Sequence, residues 1–298
     1  MLKRSLGEKI FNIFNLLGMF LFTLIIVIPV LFVFRNSFEL SETATATLRL
    51  WPEDFSLVFY GMVVKDETVY RPLLNSVIVT IVGTPLTLLI NALGAYTMSK
   101  RELPGKDFFA YYMVIIPMLI GGGAIPSFLL MRALGLIDTL WVLIIPSLAS
   151  GWNMTLLRNY YWSIPNELTE SARIDGASEM TIFVKIILPL SKPVLSALGL
   201  LSGLGFWNIF YAAMIYIRTP RKWTFPVKIR ETVMKNEGND KLWEEMMVAA
   251  GFDPTELLIN QSGLGGAMMV VSMLPVLIVY PFLQKYFAGG IMVGSVKG

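Results

Sequence analysis

Long apolar runs alternate with shorter polar ones along the whole chain. After a basic start that holds Lys3, Arg4 and Lys9, an apolar stretch extends from about Ile10 to Phe34. Further apolar stretches cover 73–98, 108–131, 140–157, 186–217 and 263–283. About 20 helical residues cross the hydrocarbon of a bilayer. The pattern therefore predicts an all-α membrane protein with six transmembrane helices. The first run is too long for a signal peptide, and no small-residue cleavage site precedes Arg35, so an uncleaved first helix is expected.

Charge orients these spans. The basic start and the loop Ser99–Asp107, with Lys100, Arg101 and Lys106, belong in the cytoplasm. The polar stretch 36–71, the short turn 132–138 and the segment 218–262 then lie outside, and both termini lie inside. Arg218, Arg221, Lys222, Lys228 and Arg230 sit on the outer side in this arrangement. The positive-inside rule loses force for so long a segment.

Several span residues depart from plain hydrocarbon. Gly121-Gly122-Gly123-Ala124-Ile125-Pro126 predicts a break or kink in the third run. Ser196, Gly199, Ser202, Gly203 and Gly205 form a small-residue face for close helix packing. Asn91 needs a partner in a membrane, either a structural hydrogen bond or a transported solute. Asn91, Asn153, Trp207, Asn208 and Tyr211 are the polar or aromatic groups placed to line a solute pathway, where an indole or phenol ring could stack on a sugar. For the last three, an aromatic belt at the membrane interface is the competing reading.

Composition narrows the chemistry. The 298 residues are 55% hydrophobic and 15% charged, with net charge +3, and they include neither histidine nor cysteine. Thiol catalysis, imidazole acid–base chemistry, His or Cys metal sites and disulfides are thereby excluded, and nucleic-acid binding has no support. No phosphate-binding loop is present: Gly105-Lys106 is the one suitable Gly-Lys pair, and position 100 is Lys where the motif needs Gly. Energy for transport must come from another subunit, and this chain is expected to be neither an enzyme nor a holder of cofactor or metal.

The most informative polar stretch is 164–193, IPNELTESARIDGASEMTIFVKIILPLSKP. Leu168, Ala172, Ile174 and Ala177 are expected on the buried side of a short amphipathic helix that carries Glu170, Arg173 and Asp175. Asp175-Gly176 signals a turn, Ser178 caps a second helix that begins at Glu179, and Pro189 opens the next span. A DNA-binding helix-turn-helix would use a similar turn, but both flanks are too apolar for a soluble domain.

Glu170, Ser171, Ala172, Gly176, Ile186, Leu188 and Pro189 resemble the signature loop of binding-protein-dependent ABC importer permeases. That motif reads Glu-Ala-Ala, three residues, Gly, nine residues, Ile, one residue, Leu-Pro; Ser171 replaces the usual Ala. The surrounding residues are similar to the carbohydrate-uptake branch, in particular to permeases for oligosaccharides released from polysaccharides. The resemblance implies a type I ABC importer permease fold in a bacterial cytoplasmic membrane, with a cytoplasmic coupling helix. It divides the chain into a first helix and outer segment, 1–71, and a permease core, 72–298, ending in a cytoplasmic tail. Glu170, Ser171, Ala172, Asp175, Gly176 and Ala177 would contact the ATPase. The implied partners are a second homologous permease, two ATPase subunits that bind ATP and Mg, an external solute-binding protein and an oligosaccharide. Part of 256–263 would reach into the binding protein. Polyol, glycerol-phosphate-like or acidic oligouronate (alginate-like) cargo is the alternative within this class. An ion-coupled secondary transporter would require intramembrane carboxylates or histidines, and a membrane hydrolase would require a clustered acid–base pair; the spans offer neither.

Overall fold

The computed structural model describes residues 6–40, 49–100, 102–105, 108, 112, 114–236, 248 and 261–290. Among these the regular structure is helical, apart from one isolated antiparallel bridge between Glu39 and Phe55. Three helices are long and apolar enough to cross a membrane: Ile10–Asn36 (27 residues) within α1 (Leu6–Asn36), α3 (Glu67–Ser99, 33 residues), and Ser262–Pro281 (20 residues) within α13 (Gln261–Gly290). A bent pair, α9 (Glu179–Leu190) and α10 (Lys192–Trp207), makes a fourth candidate.

The chain forms two compact units, Met1–Val69 with Ile229–Leu274, and Tyr70–Lys228 with Pro275–Gly298. In the first unit α1 is apolar around its whole circumference, and side chains such as Phe14 (71% exposed) lie open. Such a helix suits lipid or another membrane helix. Its Thr23 hydroxyl donates to the Met19 carbonyl at 2.8 Å, so that hydroxyl is not stranded in an apolar surrounding. Beyond α1, Glu39 is fully buried beside Arg35 at 3.5 Å and accepts from the amides of Glu53 and Asp54 at 2.8 and 3.1 Å. These bonds satisfy the carboxylate and hold the polar segment against the end of α1. Close packing involves α2 (Val58–Lys65): a Cβ added at Gly263 would collide with the Phe59 ring.

The second unit carries the residues singled out above, and its helices are interrupted. The break predicted by the glycine run lies at 120–123, between α4 (Ile116–Leu119) and α5 (Ala124–Ala133), with Gly123 at φ +78°. The crossing expected over 140–157 is two helices instead: α6 (Trp141–Ile144) extends by a 3-10 turn to Ser147, and α7 (Gly151–Trp162) follows. Pro146 lacks the amide that would continue the ladder. Asn91 closes the gap, donating from Nδ2 to the Leu148 carbonyl at 2.9 Å and accepting the Ser150 amide at Oδ1 at 2.9 Å.

The fifth predicted run, 186–217, is also not one straight span. α9 and α10 meet at 79° around Ser191. Pro189 and Pro193 flank this corner and withhold two ladder donors, and a π-helical turn over Phe183–Ile187 precedes it. α10 stops at Trp207, and α11 (Tyr211–Tyr216) follows after 208–210. The segment expected to be a polar outer loop from Arg218 contains a helix, α12 (Phe225–Asn236). Its start is packed: Phe225 is fully buried and donates its amide to Ser76 Oγ at 2.8 Å, while Asn75 Nδ2 bonds the Arg221 and Trp223 carbonyls at 2.8 and 2.9 Å.

Candidate functional site

The polar island folds as its residues predict, with one correction. α8 (Asn166–Ile174) begins after Pro165 and ends in a left-handed turn at Gly176, φ +79°. The Ala177 amide donates to the Ala172 carbonyl at 2.9 Å, and the Gly176 amide to the Arg173 carbonyl at 3.0 Å. This pairing is a Schellman closure, which favours glycine for its backbone angle. Space is no constraint there, since a Cβ on Gly176 would meet nothing within 4 Å. Ser178 caps α9 as expected, accepting the Thr181 amide at 3.2 Å.

Ala172 and Ala177 pack against a core of Ala92, Tyr96, Leu157, Tyr161, Ile182 and Phe183. Leu168 and Ile174, expected on that buried side, instead stand 43% and 88% exposed. At 100° per residue Ile174 lies nearly opposite Ala172, so a nine-residue helix cannot bury both. Glu170, Ser171, Asp175 and Gly176 are exposed as well. The outer face of α8 thus combines carboxylates, small residues and one bare isoleucine.

The inner side of the island is tied down by Glu179. Its Oε2 accepts from the Tyr96 hydroxyl at 2.6 Å and from Lys100 Nζ at 2.8 Å, and its Oε1 accepts from Arg173 Nε and NH2, each at 2.9 Å. Lys100 also lies over the Tyr96 ring, 4.2 Å from its centroid. Three elements, the end of α3, the end of α8 and the start of α9, meet on one carboxylate.

A cavity of ≈ 600 Å³ lies in the same unit, walled by α3 (Thr80, Thr84, Leu88), α10 (Ser196, Gly199, Gly203, Trp207) and α13 (Pro275, Val279). The small-residue face of α10 opens onto it and also packs on α3: a Cβ on Gly199 would meet Leu88 at 3.2 Å. Among the described residues the lining is apolar except for the Thr and Ser hydroxyls and Lys192. The Thr80 and Thr84 hydroxyls are buried and have no hydrogen-bond partner among the described residues.

Of the residues expected to line a pathway, only Trp207 borders this cavity. Asn91 is fully buried and bonded to three backbone groups, the Thr87 carbonyl at 2.6 Å among them. Asn153 Nδ2 reaches Ser202 Oγ at 3.5 Å and links α7 to α10. Asn208 donates back to the Leu204 carbonyl of its own helix at 3.0 Å, and Tyr211 is 64% exposed. Of the segment expected to reach a binding protein, 256–260 lies outside the described residues.

A second carboxylate hub escaped the sequence reading. Asp138, in the turn between α5 and α6 at φ +60°, accepts from the amides of Arg218 and Thr219 at 3.0 and 2.9 Å, the Thr219 hydroxyl at 2.7 Å and Lys222 Nζ at 3.1 Å. Burial pushes its carboxyl up, but the Thr219, Lys222 and Arg218 donors outweigh this and hold it well below the usual carboxylate range. A carboxylate in a short turn was its one signal, and the partners lie 80 to 84 positions away.

Comparison with known proteins accords with this architecture. Residues 1–293 match the family model described as "binding-protein-dependent transport system inner membrane component". The polygalacturonan/rhamnogalacturonan transport system permease protein YtcP of Bacillus subtilis (strain 168) is 38% identical, over 93% of this chain and 95% of that protein. The arabinooligosaccharides transport system permease protein AraQ of Halalkalibacterium halodurans is 31% identical, over 89% and 88%. A chain in the crystal structure of a bacterial ABC transporter involved in import of the acidic polysaccharide alginate superposes with TM-score 0.87 at 30% identity, over 96% of this chain and all of that one. The signature island, the interrupted helices and a match along nearly the whole chain lead to one conclusion: this chain belongs to the inner-membrane permease component family of binding-protein-dependent transport systems.

Proposed function

We propose that this chain is one of two permease subunits of an ATP-driven importer, accepting oligosaccharide from an external binding protein. Two ATPase subunits dock from the cytoplasm, and α8 is the coupling helix. The observation that carries this reading is the outer face of α8. Glu170, Ser171, Asp175 and Gly176 stand exposed beside Ile174, which is 88% exposed on a rigidly capped helix. A solvent-facing isoleucine flanked by carboxylates and small residues suits a partner that supplies a pocket and basic groups. Six crossings, two of them the broken runs around 120–123 and 148–150, put both termini in the cytoplasm. ATP and Mg belong to the partner ATPases, and this chain contributes binding and motion alone.

For the cargo, two of the three relatives above are named for acidic polysaccharides, polygalacturonan and alginate. Lys192, a cation on the cavity wall, suits a uronate carboxylate, and Trp207 offers an indole edge or face to a sugar ring. An oligouronate is therefore the favoured cargo, with a neutral arabino-oligosaccharide as the second reading.

The test is ATP hydrolysis by the complex purified with its partner permease, ATPases and binding protein. Oligogalacturonides should stimulate it, and Gly176→Asp should abolish that stimulation while the complex still co-purifies. Stimulation by arabino-oligosaccharides alone would select the neutral cargo. A wild-type response that survives Gly176→Asp would refute the coupling role of α8.

A further inference from the structure

We infer that Glu179 is a positioning residue, a releasable latch that passes displacement of α8 to two walls of the cavity. The inference rests on the reading of α8 as the coupling element, and it concerns the side of α8 that faces its own chain.

The geometry carries it. α8 has few ties to the rest of the unit: Ala172 packs partly against the core from the helix itself, with Ala177 just beyond the turn, while Leu168 and Ile174 are exposed. Two small side chains bury little area and resist sliding weakly. The directional link is the fork from Arg173 to Glu179 Oε1, both contacts at 2.9 Å. The other oxygen of the same carboxylate holds α3 through the Tyr96 hydroxyl at 2.6 Å and Lys100 at 2.8 Å. Glu179 is also the first residue of α9, where the Tyr96 ring lies 5.0 Å from that of Phe183.

From this hub two helical paths reach the cavity. α3 runs without interruption from Ser99 back to Leu88, Thr84 and Thr80, and α9 leads through the 79° corner at Ser191 to α10 with Ser196, Gly199 and Trp207. A push on α8 therefore acts on both walls at the point where they converge. Every donor to Glu179 is a side chain with rotatable bonds, and the Glu179 side chain is 54% exposed. Charge-assisted bonds of this kind orient strongly yet can break and re-form within a transport cycle. The link thus acts as a two-state element rather than a permanent weld.

The test uses the complete complex in proteoliposomes, measuring solute moved per ATP hydrolysed. Because this chain has no cysteine, Ser196→Cys supplies a second readout: maleimide labelling of this subunit with and without ATP and vanadate. In Glu179→Gln, solute moved per ATP should fall roughly fivefold or more, and the nucleotide-dependent change in labelling should disappear. Arg173→Lys keeps the charge but not the two-pronged contact, so it should lose part of the ratio, less than Glu179→Gln does. Tyr96→Phe removes one hydroxyl and should show a smaller loss of the same ratio, which keeps the test decisive if Glu179→Gln fails to assemble. Unchanged transport per ATP and unchanged labelling in both Glu179→Gln and Tyr96→Phe would overturn the latch. If no oligosaccharide stimulates the wild-type complex, the cargo reading fails while the labelling measurement still reports on the latch.

Discussion

Two carboxylates, Asp138 and Glu179, each gather donors from segments distant in the chain, and they do so in different ways. Asp138 receives two backbone amides, a threonine hydroxyl and a lysine, all from residues 218–222. Glu179 receives a phenol, an ammonium and a guanidinium, each from a side chain, on two separate elements. Backbone donors cannot swing away without unfolding the turn that presents them, whereas side-chain donors can change rotamer. The first cluster is built to hold the turn between α5 and α6 against the segment after α11. The second ties α8 to α3 and α9 through side chains alone. The kind of donor, more than the charge of the acceptor, separates an anchor fixed by the backbone from a link that side-chain rotation can open.

The largest effect expected from breaking this contrast is on stability at Asp138. Asp138→Ala strands two amides and a hydroxyl, and thermal unfolding of the complex should show a loss of about 2 kcal/mol. Asp138→Asn retains one acceptor oxygen and tolerates the left-handed backbone, so it should lose less. Glu179→Gln, at a half-exposed ion-pair cluster, should cost no more than about 1 kcal/mol in the same measurement while impairing coupling. Equal stability losses at the two sites would erase the distinction. Next in size, Gly176→Ala forces a side chain into the left-handed region and should destabilise the end of α8 by about 1 kcal/mol. Faster hydrogen exchange at the amides of Gly176 and Ala177 would report that loss. The smallest effect is on pH. The Asp138 carboxyl is depressed in the folded state, so its contribution is fully present above the unfolded value of ~3.9 and disappears as pH falls toward the folded value. Unfolding measured from pH 8 down to pH 5 should therefore show no change traceable to Asp138, with a difference from Asp138→Asn closing only at lower pH.

Local features of the island were legible because their causes are local. The Asp175-Gly176 turn, the Ser178 cap and the helix between Pro165 and Asp175 each depend on neighbours within five positions. The break at Gly121–Gly123 was legible for the same reason. Which side of α8 is buried was not, because nine residues make too short a helix for periodicity to outvote the position of the neighbouring core. Asn91 shows a different limit. Its amide demanded a partner, but that the partner is the interrupted backbone at 148–150 depends on where α7 lies beside α3.

Hydrophobic run lengths, the absence of histidine and cysteine and the spacing from Glu170 to Pro189 were enough to make this a helical membrane protein and to mark the family's signature loop. These properties follow from solvent transfer and short-range backbone geometry, which a linear sequence records directly. Tertiary structure alone decided that Arg173, Glu179, Tyr96 and Lys100 converge, that Asp138 meets Thr219, and that Trp207 borders a cavity while Asn208 and Tyr211 do not. Such contacts join residues up to 83 positions apart, and the packing angles that bring them together leave no periodic trace in the order of the residues.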